Sequence, residues 1–417
     1  MLQKIVYIFE RIDPEAKMWL EHQLKSADIL LQKKIISEFK EYSIDYIRKL
    51  TVIKNSIFGV DIQSIAVEIS RLRCFLSLII EEQVDDSKEN RGINPLPNLD
   101  FKFITANSLK KLPDGTESEK YVFDDNQGSL FEDNKQIENL KTVRENYFNS
   151  SIDERQQLQT EFYKIQKNMM QFVYQNHSKT EKYKALCTWE PFENGSTDWF
   201  DPEWMFGIKA GFDVVIGNPP YIGFHKVPDK EYNKKHYYTA NGKYDYYVLF
   251  IEKAIKLASK TGFVTFICPS YFYKRNYGKN TRSYLLSHTS ICYIADFADF
   301  QVFETAQTYT CIFGASKRIK NNNRICVLNE SLSIYDSHYV EQSDLCEPTW
   351  ILEKRDSNKI IEKVNTHKWH SFGEITKSIS QGIVTGNNDV FLIADDVIIN
   401  KNLEKIYLKD AYKGKDV

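Results

Sequence analysis

Glycine is missing from the amino-terminal stretch: none of the 17 glycines precedes Gly59. A glycine loop that lets backbone approach a phosphate or nucleotide is therefore excluded there. Charge of one sign is also lacking. Lys and Arg total 55 against 57 Asp and Glu, a net charge of −2, so contact with a polyanion must come from local patches. The seven cysteines are scattered without a Cys-x-x-Cys pair, which points to reduced thiols in a cytoplasmic chain. No run of about 18 apolar residues and no signal-peptide pattern occurs, so no membrane contact is expected. His367 and His370 lie close together without supporting Cys or acid spacing, so no metal site is expected. Aromatics, by contrast, are plentiful at 14%. They suit base-stacking surfaces and equally a dense core.

The chain is organised around residues 212–221, Phe-Asp-Val-Val-Ile-Gly-Asn-Pro-Pro-Tyr. Val214, Val215 and Ile216 form a β-branched run that reads as a buried parallel strand ending at Gly217. Two prolines fix φ and remove two backbone donors, and Asn218 before them is pushed to extended geometry. The result is a rigid corner at the carboxyl end of a strand, where open α/β sheets place ligands. The Asn218 side-chain oxygen and the Pro219 carbonyl can each accept one N–H from a planar amine, while Tyr221 stacks on the attached ring. Acceptors out of the ring plane draw that nitrogen toward tetrahedral geometry and free its lone pair. The plain alternative is a Pro-Pro turn that ends a core strand.

Asn218-Pro219-Pro220-Tyr221 after an apolar strand resembles the catalytic motif of S-adenosylmethionine-dependent amino-methyltransferases, chiefly those modifying adenine N6 in DNA. Two further stretches carry the resemblance. Ile57-Phe58-Gly59-Val60-Asp61-Ile62 reads as a strand ending in an acid, followed by an amphipathic helix. By resemblance, Asp61 holds the ribose of S-adenosyl-L-methionine and Ile62 packs on its adenine; a helix cap is the alternative for Asp61. Phe303, in residues 299–315, matches the residue that packs on a flipped target base. A weaker match follows Phe101-Lys102-Phe103-Ile104: Asn107 takes the place of the polar residue that meets the cofactor's adenine amine, a turn Asn being the alternative. The resemblance covers about residues 1–395, and it implies double-stranded DNA as the partner.

The expected fold is an α/β, Rossmann-like class I methyltransferase sheet without its first strand and glycine loop. A separate N-terminal chain could supply that loop. Residues 1–110 read as the incomplete cofactor half, opening with helices broken at Asp13-Pro14. Residues 111–205 read as a helical insertion, either touching DNA or standing as a solvated helical pair. Residues 206–320 read as the catalytic half, with a helix from Tyr244 ended by Gly262 and a strand from Phe263. Residues 321–417 read as a linker and the start of a target-recognition domain, the latter from Gln381 to Ile393. Basic and aromatic residues between His225 and Lys243, including His236, Tyr237 and Tyr238, are expected to grip phosphates or fill the gap left by an extruded base. Lys274, Arg275, Lys279 and Arg282 form a second candidate patch.

The rival readings are modification of a protein glutamine amide or of cytosine N4, for which the same corner suffices, and a non-catalytic fragment. Cys268-Pro269 has the wrong order for a cytosine C5 nucleophile. No nuclease constellation is evident.

Overall fold

A computed structural model describes most of residues 1–352; the undescribed positions in that span fall mainly within 27–41, 83–98, 114–137, 148–151, 176–180 and 299–308. The chain divides into two compact units, Met1–Leu352 and Glu353–Val417. The second unit, with His367, His370 and the 381–393 segment, lies outside the described residues, and so does Phe303.

Two short runs make the first parallel pair. β1 (Gly59–Asp61) lies beside β2 (Phe103–Thr105), with Asp61 opposite Thr105. Space demands glycine at 59: a Cβ there would stand 2.6 Å from the Phe103 ring. The crossover is the helix Ser64–Ile79, which buries Val67, Arg71 and Leu78. The Arg71 guanidinium donates to the Phe103 carbonyl at 2.8 Å and lies 3.5 Å from the Asp100 carboxylate, fixing the helix to the start of β2. The opposite face of this helix is apolar yet exposed: Ile65, Ile69, Leu72 and Leu76, with Ile80 just beyond, recur at helical spacing.

The remaining strands form one mixed sheet in the order β3-β4-β6-β5-β7-β8. They are β3 (Phe212–Gly217), β4 (Ala258–Pro269), β5 (Ser290–Asp296), β6 (Thr310–Ser316), β7 (Arg324–Leu328) and β8 (His338–Glu341). β3 and β4 are parallel, joined through the helix Tyr247–Leu257, whose Tyr247, Val248, Leu249 and Ile251 are buried in the core. β6 runs antiparallel between β4 and β5. The α/β pattern does not stop near residue 320: β7 pairs parallel with β5 and β8 closes the edge.

The strand expected from Phe263 begins five residues earlier, at Ala258, and the helix before it ends at Leu257 rather than Gly262. Gly262 is not a stop. It lies where the β3–β4 register slips between Phe212 and Val214, and a Cβ on it would meet the Phe212 carbonyl oxygen at 2.7 Å, as a strand glycine beside a bulge does.

The segment before β3 is no solvated pair. Helices Ile152–Gln175 and Glu181–Cys187 pack onto the β2 side of the molecule. Phe101, Tyr147, Phe162, Trp189 and Trp199 are buried together with Ile104 of β2 in one cluster. Edge-to-face ring pairs such as Phe101–Trp189, 5.8 Å between centroids, give it directional packing.

The two sheets are neighbours at both ends. At the starts, the Phe58 ring before β1 meets Phe212 of β3 at 5.7 Å. At the finishes, the loop after β2 meets the segment after β3: Lys111 N–H donates to the Tyr232 hydroxyl at 3.0 Å, and the Tyr237 hydroxyl donates to the Leu109 carbonyl. The carboxyl ends of both sheets therefore face one region. Among the described residues, β1 is paired only with β2 and β3 only with β4. β3 is parallel to β4 as expected but is not the buried strand its Val-Val-Ile run suggests: Val214 and Ile216, on one face, are 47% and 62% exposed, because little among the described residues packs on that face.

Candidate active site

The proline corner stands where β3 ends. Gly217 packs tightly, since a Cβ there would lie 3.1 Å from the Phe266 ring. Asn218 is exposed, Pro219 buried and Tyr221 half-buried. Pro219 thus anchors the turn while the Asn218 carboxamide stays accessible. The Tyr221 hydroxyl donates to the Ile267 carbonyl of β4 at 3.4 Å. Burial, reinforced by the neighbouring Cys268 and Cys311 thiols, pushes its phenol well up, so the ring is neutral and apolar on its faces. Cys268 and Cys311 face each other across β4 and β6, both buried.

The turn is braced from behind. Tyr246 N–H donates to the Ile222 carbonyl at 2.8 Å. The Tyr277 hydroxyl donates to Asp245 at 2.5 Å and lies 3.2 Å from that of Tyr247. The backbone that follows the corner is thereby tied to the start of the next helix.

On the other sheet, Asp61 ends β1 with its carboxylate exposed, and one of its oxygens accepts from Gln63 N–H at 2.8 Å. The other oxygen faces solvent with ligand-accepting capacity, which fits a ribose diol. Ile62 is exposed beside it. Asn107 follows β2. Its Oδ1 accepts from Leu109 N–H at 3.2 Å, and its Nδ2 donates to Asp198 at 3.1 Å. Asp61, Asn107 and the Asn218 corner are thus brought to the same end of the fold.

Sequence reasoning missed Asp198, Lys110 and Asp229. The Lys110 ammonium bridges Asp198 at 2.6 Å and Asp229 at 3.0 Å. Partial burial alone would lower its pKa, but the hydrogen bonds to both carboxylates outweigh this and raise it. Asp229 has φ +50° and precedes the helix Lys230–His236 without capping it. It gives up the N-cap bond and adopts a left-handed backbone that non-glycine residues rarely take. The loop after β2 is thereby tied to the segment beyond the Asn218 corner.

The basic loop divides in two. Lys226, Lys234, Lys235, Tyr238 and Lys243 are exposed, as expected. Tyr237 is buried, however, and His236 stacks on Tyr232 at 4.0 Å, so these two rings serve the core of the loop rather than a bound base. Arg282 is likewise removed from the second patch. It is buried and donates to the Phe272 and Arg275 carbonyls, each at 2.8 Å. Lys274 pairs with Asp296 at 2.8 Å, leaving Arg275 over the Tyr271 ring at 4.0 Å and Lys279 exposed. Among the described residues there is no cluster of His, Cys, Asp and Glu that could hold a metal, and no helix long and apolar enough to cross a membrane.

The chain is similar in sequence to known proteins. The chain is 30% identical over 196 residues to the type II restriction enzyme and methyltransferase RM.Eco57I of Escherichia coli, covering 43% of this chain and 19% of that protein. It is 36% identical over 106 residues to type II methyltransferase M.BstVI of Geobacillus stearothermophilus, covering 24% and 19%. Identity to type II methyltransferase M.HincII of Haemophilus influenzae is 27% over 187 residues, covering 42% and 36%. The chain thus spans no more than 36% of the length of any of these three relatives. The model of the Eco57I restriction-modification methylases matches residues 55–303, more than half of the 417, and takes in Asp61, Asn107, the Asn218 corner and Phe303. The chain belongs to the Eco57I restriction-modification methylase family.

Proposed function

We propose that this chain carries the catalytic and adenosine-binding parts of an S-adenosylmethionine-dependent methyltransferase acting on adenine N6 in double-stranded DNA. The observation that supports this most is the braced corner at the end of β3, with Asn218 accessible, Pro219 buried and Tyr221 held against β4. The Asn218 Oδ1 and the Pro219 carbonyl would accept the two N–H groups of the target amine. Its lone pair is then directed out of the ring, and the neutral Tyr221 ring packs on the base face. Phe303 would support the extruded base. S-adenosylmethionine, when bound, supplies an electrophilic methyl on a sulfonium centre. Asp61 would hold its ribose, Ile62 and Asn107 its adenine. Lys226, Lys234, Lys235 and Lys243 would meet DNA phosphates, so affinity should fall steeply with salt.

The methionine portion of the donor would be held by a glycine loop on polypeptide outside residues 1–110, such as a separate N-terminal chain. Two features support this part of the reading. Among the described residues β1 and β3 have ladders on one side only, and the apolar residues Val214, Ile216, Ile65 and Ile69 stand exposed beside them. Cofactor affinity should then rise when that polypeptide is added.

Transfer of tritiated methyl from S-adenosylmethionine to duplex DNA tests the proposal. Label should appear in adenine with the wild-type chain and disappear with Asn218→Ala. Incorporation that survives the substitution would remove the assignment.

A further inference from the structure

Asn107 is the residue the sequence assigns to the adenine edge of the donor, yet much of its carboxamide is already committed. Its Oδ1 accepts from Leu109 N–H at 3.2 Å and one Nδ2 hydrogen goes to Asp198 at 3.1 Å. An amide in this state has a second Nδ2 hydrogen to give and one of its two oxygen lone pairs left, the oxygen already turned toward the Leu109 backbone. Asp198 is the reverse. Its carboxylate takes one hydrogen from Asn107 and one from Lys110 at 2.6 Å. Two of its roughly four lone-pair sites remain, and its side chain is 72% exposed.

Asp198 is also firmly placed. Thr197 N–H donates to the Thr105 carbonyl at 3.1 Å, and Asn107 N–H donates to the Thr197 carbonyl at 3.0 Å. Thr197 and Asp198 thus run along β2 as a short additional rung, bridged at Ala106. Lys110 holds the carboxylate from one side and is itself held by Asp229. The left-handed backbone of Asp229 is the kind of local strain that persists where the surroundings demand one geometry.

We infer that Asp198, contributed by the segment before β3, is the specificity-determining acceptor for the exocyclic amine of the donor's adenine, and that Asn107 donates to the adjacent ring nitrogen. An adenine edge presents one donor and one acceptor side by side. The Asp198 carboxylate and the free Asn107 N–H present the complementary pair. A 6-oxo purine presents the reverse pattern, so the same two groups reject it. This rests on the donor-site reading above.

Adenosine and inosine are the probes, titrated against the whole chain by ligand-observed NMR; neither contains the methionine portion. The wild-type protein should prefer adenosine about tenfold, the scale of one hydrogen bond to a charged acceptor. Asp198→Ala should bring adenosine down to the level of inosine. In Asp198→Asn a donor can replace the acceptor facing the amine, while Asn107 still donates to the ring nitrogen, so each nucleoside meets one matched and one mismatched group and the adenosine preference should be lost. Asp198 is exposed, and thermal melting should show all variants folded. An adenosine preference that persists in Asp198→Ala would overturn the inference, as would an equal loss of both nucleosides in both variants, the sign of a merely structural role. If the wild-type protein binds neither nucleoside, the donor-site reading itself fails, and the inference with it.

Discussion

The two sheets of this molecule solve the same packing problem to different degrees. Around β4 and β6 the core is closed: Val264, Cys268, Cys311, Phe313 and Ala315 are all buried, and the turn from Asn218 to Ile222 is braced by β4 on one side and Tyr246 on the other. Around β1 the packing is one-sided. β1 is three residues long, its helix shows an apolar stripe to solvent, and its ladder ends at one edge. The Asn218 corner, proposed to do the chemistry, ends the edge strand β3 but is backed by the closed half, whereas the exposed Asp61 carboxylate, proposed to bind the donor, belongs to the open one. Catalysis and donor binding should therefore be separable by substitution.

The sharpest separation is Asn218→Ala. Methyl transfer should fall by at least about 10²–10³-fold, as for loss of one preorganised polar group, and so below detection by label, while adenosine affinity measured by NMR stays that of the wild type. Asp61→Ala should do the opposite. Adenosine affinity should drop roughly tenfold to a hundredfold, the range for a hydrogen bond to a charged group, with the melting temperature unchanged because the side chain is exposed. A parallel loss in both variants would break the division between the halves.

Gly59→Ala asks whether the open half melts by itself. The added methyl would meet the Phe103 ring at 2.6 Å, costing about 1–3 kcal/mol by overpacking. Hydrogen exchange should quicken in β1, β2 and the helix Ser64–Ile79 and stay slow in β4 and β6. Uniform quickening would join the halves into one cooperative unit.

The smallest effect is pH-linked. Burial, with Lys54 nearby, lowers the Lys102 ammonium from 10.5 to about 8 in the folded chain. Between those values the unfolded chain binds more protons, so stability rises with pH across that window, and below it the full cost is present. Lys102→Met should raise the melting temperature at about pH 7, with the gain shrinking toward pH 10.5.

The parts legible in the sequence were those whose signal is local. The Val-Val-Ile run followed by two prolines states both a strand and its end, and Gly-Val-Asp before an amphipathic helix does the same for β1. Features set by distant partners were not legible. Asp198 meets Asn107 across 91 positions, brought there by the backbone bridge of Thr197 to β2 and the packing of Trp189 and Trp199 on that side. Arg282 shares the charge pattern of its exposed neighbours, and nothing local reveals that two carbonyls draw it inward. Gly262 carried the usual mark of a helix end, but the β3 backbone beside it makes it a bulge residue.

The most direct measurement is nucleoside analysis by mass spectrometry of duplex DNA incubated with this chain and S-adenosylmethionine, together with the polypeptide proposed to supply the glycine loop. The account predicts N6-methyldeoxyadenosine, absent with Asn218→Ala. Methylation found only on cytosine, or on protein glutamine and not on DNA, would contradict it.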